Sequence, residues 1–223
     1  MALLLLAAPA RAQLGASATL QSDDQYRGHS LSDRRPALGL NISYDHISGA
    51  YGGASLILPT HDAELSRLGL VGYAGYVARL GTGPALDVGV TDSSLIGYRY
   101  PKHRVDYQEV YAGLLGDHLS FHAHYSPNYF HSGLQTLYVD LDGAVRPTDD
   151  WRVFGHVGAL TPLSGLVAHG SRKERYDLSL GVARKLPHAE VSLVWSRTTP
   201  VVVLPGGRPQ DRAALALSAA YFF

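Results

Sequence analysis

The chain has 223 residues, 46% of them apolar, and 19 basic residues balance 19 acidic ones. That length suits one domain with a sizeable buried surface, and the even charge argues against nucleic acid as main partner, because phosphate binding needs a basic excess. With 24 glycines, 14 tyrosines, one methionine and no cysteine, the composition favours strands and tight turns. The lack of thiols fits an oxidising compartment such as a bacterial envelope.

The opening stretch, MALLLLAAPARAQ, holds an apolar run from Leu3 to Ala8 and a small-x-small triplet, Ala10-Arg11-Ala12, before Gln13. It reads as the back half of a secretory signal over residues 1–12, leaving residues 13–223 as the mature region. It lacks the positive residue that normally precedes the apolar run, and the competing reading is a buried N-terminal helix. No later run approaches the ~20 apolar residues of a membrane-spanning helix. A membrane form would therefore have to be a closed barrel, because only helices and closed sheets pair every backbone group in hydrocarbon.

From Gln13 onward the dominant signal is alternation with period two. It predicts about twelve strands, centred on 14–24, 35–46, 50–58, 67–80, 84–98, 105–117, 119–129, 136–148, 151–162, 175–186, 189–199 and 211–223. In ALGLNISYD, Leu38, Leu40, Ile42 and Tyr44 oppose Gly39, Asn41, Ser43 and Asp45. In LSFHAHYS, Leu119, Phe121, Ala123 and Tyr125 oppose Ser120, His122, His124 and Ser126. TLYVDLDGAVR, RYDLSLGVARKL and AEVSLVWSR follow the same rule. The fourth segment, RLGLVGYAGYVARL, is the weakest, because its Gly-Tyr repeats leave open which face points out. In the last, ALALSAAYFF, Leu215, Leu217, Ala219, Tyr221 and Phe223 share one face opposite small residues. That face would meet lipid, and the small one would border a narrow lumen or a plug.

Connections alternate between tight turns (HISGA, GTGP, GDH, PTDD, PH) and longer loops such as QYRGHSLSDRR and LSGLVAHGSRKE. The expected fold is an all-β, transmembrane, antiparallel up-and-down barrel with short periplasmic turns and longer extracellular loops. Tyr44, Tyr98, Tyr129, Trp151 and Trp195 sit near strand ends, where an aromatic girdle would lie. A soluble sandwich or lipocalin-like barrel is the alternative; there the apolar stripe turns inward to a dry core.

If the apolar stripe faces lipid, the other stripe lines the lumen. It would carry Gln21, Asp23, Asn41, Asp45, Asp87, Asp106, His122, His124, Asp140, Asp142, Arg146, Arg152, His156, Asp177 and Glu190. Carboxylates are in excess, and their plainest role is to solvate the interior rather than to bind a specific ligand. The long loops are basic: Arg27, Arg34 and Arg35 in the first, Arg99, Lys102 and Arg104 in the third, Arg172, Lys173 and Arg175 around the fifth. Such groups concentrate anions at a mouth or grip lipopolysaccharide phosphates. Gly28 would let the first loop fold back and aim Arg27 into the lumen as a selectivity contact. The preferred reading leaves Arg27 in the loop, paired with Asp23, Asp24 or Asp33.

His122-x-His124 points two imidazoles to one side of a strand. Zinc would need two more ligands, with His156 and Asp140 candidates only if neighbouring strands bring them to the same depth. The expectation is a satisfied histidine pair, with no metal and no cofactor. No G-x-S-x-G, H-E-x-x-H or phosphate-loop motif occurs. His131-Ser132 is poor support for a lipid-cleaving barrel enzyme, since adjacent strand residues point opposite ways. The expected function is an outer-membrane, porin-like channel for passive diffusion of small solutes or ions. The alternatives are a barrel enzyme acting on lipids and a closed structural or adhesive barrel.

The stretch SDDQYRGHSLSDRRPALGLNISYDHISGAYGGASL resembles the TorF-type porin family of proteobacteria. The matching residues are Ser22, Asp23, Tyr26, Arg27, Gly28, Ser30, Ser32, Asp33, Pro36, Ala37, Tyr44, His46, Ser48, Gly49, Tyr51 and Gly53. GYAGY, DVGV, YRYP, DYQEVYAGL and YSPNYF follow in the family's order. Asp24 and Leu31 depart from its pattern, which leaves a ligand preference tied to that loop open. The resemblance implies location and fold more than substrate. The terminal Tyr221 and Phe223 likewise resemble the signal that outer-membrane proteins present to the barrel-assembly machinery.

Overall fold

The computed structural model describes residues 13–32, 34–60, 68–96, 104–129, 134–164, 174–199 and 213–223. The signal segment expected over 1–12 lies outside them. Twelve strands close one antiparallel barrel: β1 (Gln13–Gln21), β4 (Ala37–Asp45), β5 (Ala50–Pro59), β6 (Leu68–Arg79), β7 (Ala85–Ile96), β8 (Arg104–Leu115), β9 (Leu119–Ser126), β10 (Gln135–Val145), β11 (Trp151–Ser164), β12 (Arg175–Lys185), β13 (Ala189–Thr198) and β14 (Ala213–Phe222). Each pairs with its neighbours in sequence. β1 completes the circle, pairing along its length with β4 and, over Ser17–Gln21, with Phe222–Ser218 of β14. Closure leaves no open edge, so every barrel strand has a partner on both sides. Among the described residues no helix is long and apolar enough to cross a membrane.

Alternation settles the two faces. Leu215 is 63% exposed and Phe223 80%, and Leu14, Ile42, Val110, Val157 and Leu180 also lie on the outside. The opposite stripe holds Asp87, Glu109, Asp140 and Asp177, all between 4% and 7% exposed. A water-soluble barrel would reverse this, because each large apolar side chain left in water forgoes about 1.5–3 kcal/mol of burial. The dry-core alternative therefore does not describe this chain.

Tyr44, Trp151 and Trp195 are outward, as a girdle requires. Tyr129 is not: it lies past the end of β9 and is buried inside with Tyr107, Tyr138 and Leu160. Tyr98 lies outside the described residues.

In β6 the two tyrosines split. Tyr76 is on the outside, whereas Tyr73 points in and covers Gly53, its direct partner on β5. Tyr51 over Gly75, Tyr111 over Gly89 and Phe154 over Gly181 repeat the arrangement across paired strands. A ring laid flat on the inner wall needs a neighbour without a side chain, and that need explains the glycines of this face.

Inside the first long loop is an element the alternation does not announce. Gln25–Tyr26 (β2) and His29–Ser30 (β3) form a small separate hairpin. Its two turn residues, Arg27 and Gly28, have φ of 49° and 72°. Both left-handed angles fit the type I′ turn that two-residue hairpins favour.

Candidate functional site

The β2–β3 hairpin folds into the mouth of the barrel. Gly28 packs so closely that a Cβ there would lie 2.8 Å from Thr198 Cβ and 3.1 Å from Asp177 Cβ. Ser196 on β13 donates to Gln25 Oε1 at 2.6 Å. At the tip, Arg27 donates twice to Glu109 on β8, at 3.0 and 2.9 Å, and Tyr26 Oη donates to Glu109 Oε2 at 3.3 Å. The guanidinium lies 3.8 Å from the ring centroid of Tyr138 and 4.8 Å from that of Tyr26. Two-point pairing and ring stacking are what a planar guanidinium does and an ammonium does not. Below the tip remains a cavity of about 10 Å³ lined by Tyr129, Tyr138, Arg175, Asp177 and Thr198 among others. That space holds no more than a single water.

This corrects the expected pairing of Arg27. Asp23 is already occupied, accepting from Gln25 at 2.8 Å, Ser32 at 3.1 Å and Ser30. Asp24 accepts from Gln21 at 2.8 Å, and its backbone N–H donates to Ser32 Oγ at 2.9 Å. Both carboxyls brace the base of the loop and leave its tip to reach inward. Burial pushes the Asp24 carboxyl up to about 6, against the lowering effect of Gln21. Asp33, the third expected partner, lies outside the described residues.

Along the inner wall runs a belt of aspartates and histidines. Tyr51 Oη donates to Asp87 Oδ1 at 2.6 Å and meets the hydroxyl of Tyr111. Asp87 Oδ2 is 3.1 Å from His122 Nε2. On the next strand Asp140 sits 3.9 Å from His122 Nδ1 and 3.1 Å from His124 Nε2. His156 bridges Asp142 through Nδ1 at 2.8 Å and Asp177 through Nε2 at 2.9 Å. Tyr138 Oη, beneath Arg27, lies 2.8 Å from His156 Nε2 and joins the belt to the hairpin. Toward the short turns, Arg152 pairs with Glu190 at 2.6 Å and covers the Phe154 ring at 4.5 Å.

Strands β7 and β9–β12 therefore bring together Asp87, His122, His124, Asp140, Asp142, His156 and Asp177. Asp45 shares the inward stripe, placed by its pairing with Tyr51 at the short-turn end, and is not in the belt. Asp106 is a correction. On β8, Tyr107 and Glu109 face in, so Asp106 falls on the other face, where Ser94 donates to it at 2.6 Å. Arg146 is a second correction: it is exposed just beyond β10 rather than on the lumen wall. Arg34 and Arg35 are exposed, with Arg34 at φ 60°. Arg99, Lys102, His131, Ser132, Arg172 and Lys173 lie outside the described residues, as does the side chain of Arg104.

Sequence reasoning missed Glu109 and the inward tyrosines. The signal was in DYQEVYAGL, where Tyr107, Glu109 and Tyr111 share a phase. Placing Asp106 on the lumen sets the opposite phase for that strand.

No curated protein matches the chain. Among solved structures, the NanC porin aligns with a TM-score of 0.62 at 10% identity, covering 94% of this chain and 99% of its own. The KdgM porin aligns at 0.57 and 11%, covering 93% and 98%. The COG4313 outer membrane channel from Pseudomonas putida F1 aligns at 0.54 and 12%, covering 97% of each. At such identities the likeness is one of fold, a small closed barrel spanned end to end. Residues 7–199 match the profile of Gcw_chp, described as a bacterial protein of unknown function, and the chain belongs to that family.

Proposed function

We propose that the protein is a narrow channel of the bacterial outer membrane, passing small polar solutes by diffusion, with its mouth constricted by its own first loop. The observation that carries this reading is the opposition of the two walls: apolar side chains cover the outside while aspartates, histidines and tyrosines line the inside. A lipid-embedded barrel with a dry filling has no use for so many inward carboxylates, each costly away from water or a counter-charge. The named likenesses are to porins and a channel, and the TorF-type resemblance points to the same location. Twelve strands fall between filled eight-stranded barrels and the open channels of roughly 16–18, so a small bore is expected.

Inner carboxylates outnumber arginines. Glu109 and Glu190 are taken by Arg27 and Arg152, while Asp45, Asp87, Asp140, Asp142 and Asp177 remain with histidines or tyrosines for company. We therefore favour cations over anions. The KdgM porin has been described in complex with disordered oligogalacturonate, a polyanion, so the two preferences would differ. The tight mouth supports a second reading, a closed structural barrel. Planar-bilayer recording separates the two. The channel reading predicts small discrete steps and a cation-selective reversal potential, with conductance rising several-fold when residues 25–30 are replaced by a short glycine linker. Absence of steps from both proteins would leave the closed barrel.

A further inference from the structure

We propose that Asp140, Asp142 and His156 hold a divalent transition-metal ion, of the Zn²⁺ class, on the inner wall of the barrel. One ligand atom from each of the three lies within 4.8 Å of the others, close enough to enclose a single cation. The register builds this grouping: Asp142 and His156 are direct partners across β10 and β11, and Asp140 follows one pleat along on the same face. A carboxylate oxygen of Asp140 lies within 4.8 Å of one of Asp142. Two neighbouring carboxylates repel unless a proton or a cation stands between them.

The histidines argue for a cation rather than for solvation alone. A metal-bound imidazole almost always donates its second N–H to a carboxylate, which fixes the ring and leaves the first nitrogen to the metal. His156 has that arrangement. Its Nε2 sits 2.9 Å from Asp177 Oδ1, while Nδ1 faces Asp142 at 2.8 Å. His122 repeats it from the other side, with Nε2 held by Asp87 at 3.1 Å and Nδ1 turned toward Asp140 at 3.9 Å. His124 brings Nε2 to 3.1 Å from Asp140 Oδ2, and its buried Nδ1 meets no hydrogen-bond partner among the described residues. Through Nε2 it places a second imidazole against Asp140, beside the three ligands. Two carboxylates with one or two imidazoles suit Zn²⁺ and its neighbours better than Ca²⁺ or Mg²⁺, which prefer all-oxygen shells. The metal takes the place of the hydrogen bond between His156 Nδ1 and Asp142, and a proton held there leaves to solvent. The inference rests on the inward orientation of the belt and not on permeation.

The test is a metal titration of the refolded barrel in detergent micelles, with folding checked by heat-modifiable gel mobility. Co²⁺ serves as a coloured stand-in. One equivalent is expected to produce visible d–d absorption that Zn²⁺ then bleaches. His156→Gln and Asp142→Asn, close in volume to the native residues, are each expected to weaken Zn²⁺ at least tenfold. Asp177→Asn, which leaves all three ligands in place, is expected to weaken it about 10–100-fold. His46→Gln, in an exposed turn, leaves affinity unchanged. Absence of a stoichiometric Co²⁺ spectrum from the native barrel overturns the site without recourse to any variant. Native affinity in folded His156→Gln overturns it as well. Neither result touches the channel reading, which bilayer recording tests separately.

Discussion

Arg27 pins the hairpin inside the mouth of the barrel through Glu109. Its guanidinium and Glu109 are 9% and 4% exposed, so this ion pair lies away from water. Removing one partner of a buried pair costs about 3–5 kcal/mol, because the other charge stays uncompensated. Here the hairpin offers an escape, since Arg27 can regain water by swinging out with β2 and β3. Glu109→Gln is therefore expected to undock the hairpin rather than unfold the barrel, seen as faster trypsin cleavage after Arg27 with an unchanged unfolding midpoint. Asp24 gives the loop a pH dependence. Its carboxyl is raised to about 6 by burial, so the folded loop prefers the neutral form. That contribution is complete below the ordinary carboxylate value of 3.8 and fades as pH rises through about 6. Amide exchange at residues 22–32 should speed up between pH 5 and 7 beyond the intrinsic base-catalysed rate, and Asp24→Asn should abolish the excess. The sequence offered the inward turn of Arg27 through Gly28 as a lesser alternative, but not its partner. Arg27 and Glu109 stand 82 residues apart, and only closure of the barrel makes them neighbours.

At the scale of elements, the sequence was far more readable. Each of the twelve strands falls within a few residues of its expected span, because a wall apolar on one face and polar on the other enforces strict alternation. β14 shows the rule at its plainest, with Leu215, Leu217, Tyr221 and Phe223 outside and Ala214, Ala216 and Ser218 less exposed on the inner face. β6 resisted because tyrosine serves both walls, outward in Tyr76 and inward in Tyr73. What identifies Tyr51, Tyr73 and Tyr111 as inward is the glycine opposite each, and that pairing needs a register no single strand contains. The hairpin β2–β3 escaped notice because two-residue strands are too short to show a period. The ring-over-glycine contacts carry a cost if disturbed. A Cβ at Gly89 would meet the Tyr111 ring and lie 2.6 Å from the carbonyl oxygen of Ala74. Gly89→Ala is expected to destabilise the refolded barrel by about 1–3 kcal/mol, read as a lower urea midpoint in lipid vesicles.

For the molecule as a whole, everything depends on which wall meets lipid. The two tryptophans of the chain, Trp151 and Trp195, both stand on the outer wall, 43% and 39% exposed, on strands β11 and β13. They report directly on the environment of that wall. The decisive measurement is quenching of their fluorescence in reconstituted vesicles by lipids spin-labelled along the acyl chain, with aqueous iodide as the opposing quencher. The outward-apolar barrel predicts strong quenching by the labelled lipids and weak quenching by iodide. A protein that stays monodisperse in buffer without detergent, with both tryptophans shielded from lipid and iodide alike, would contradict it.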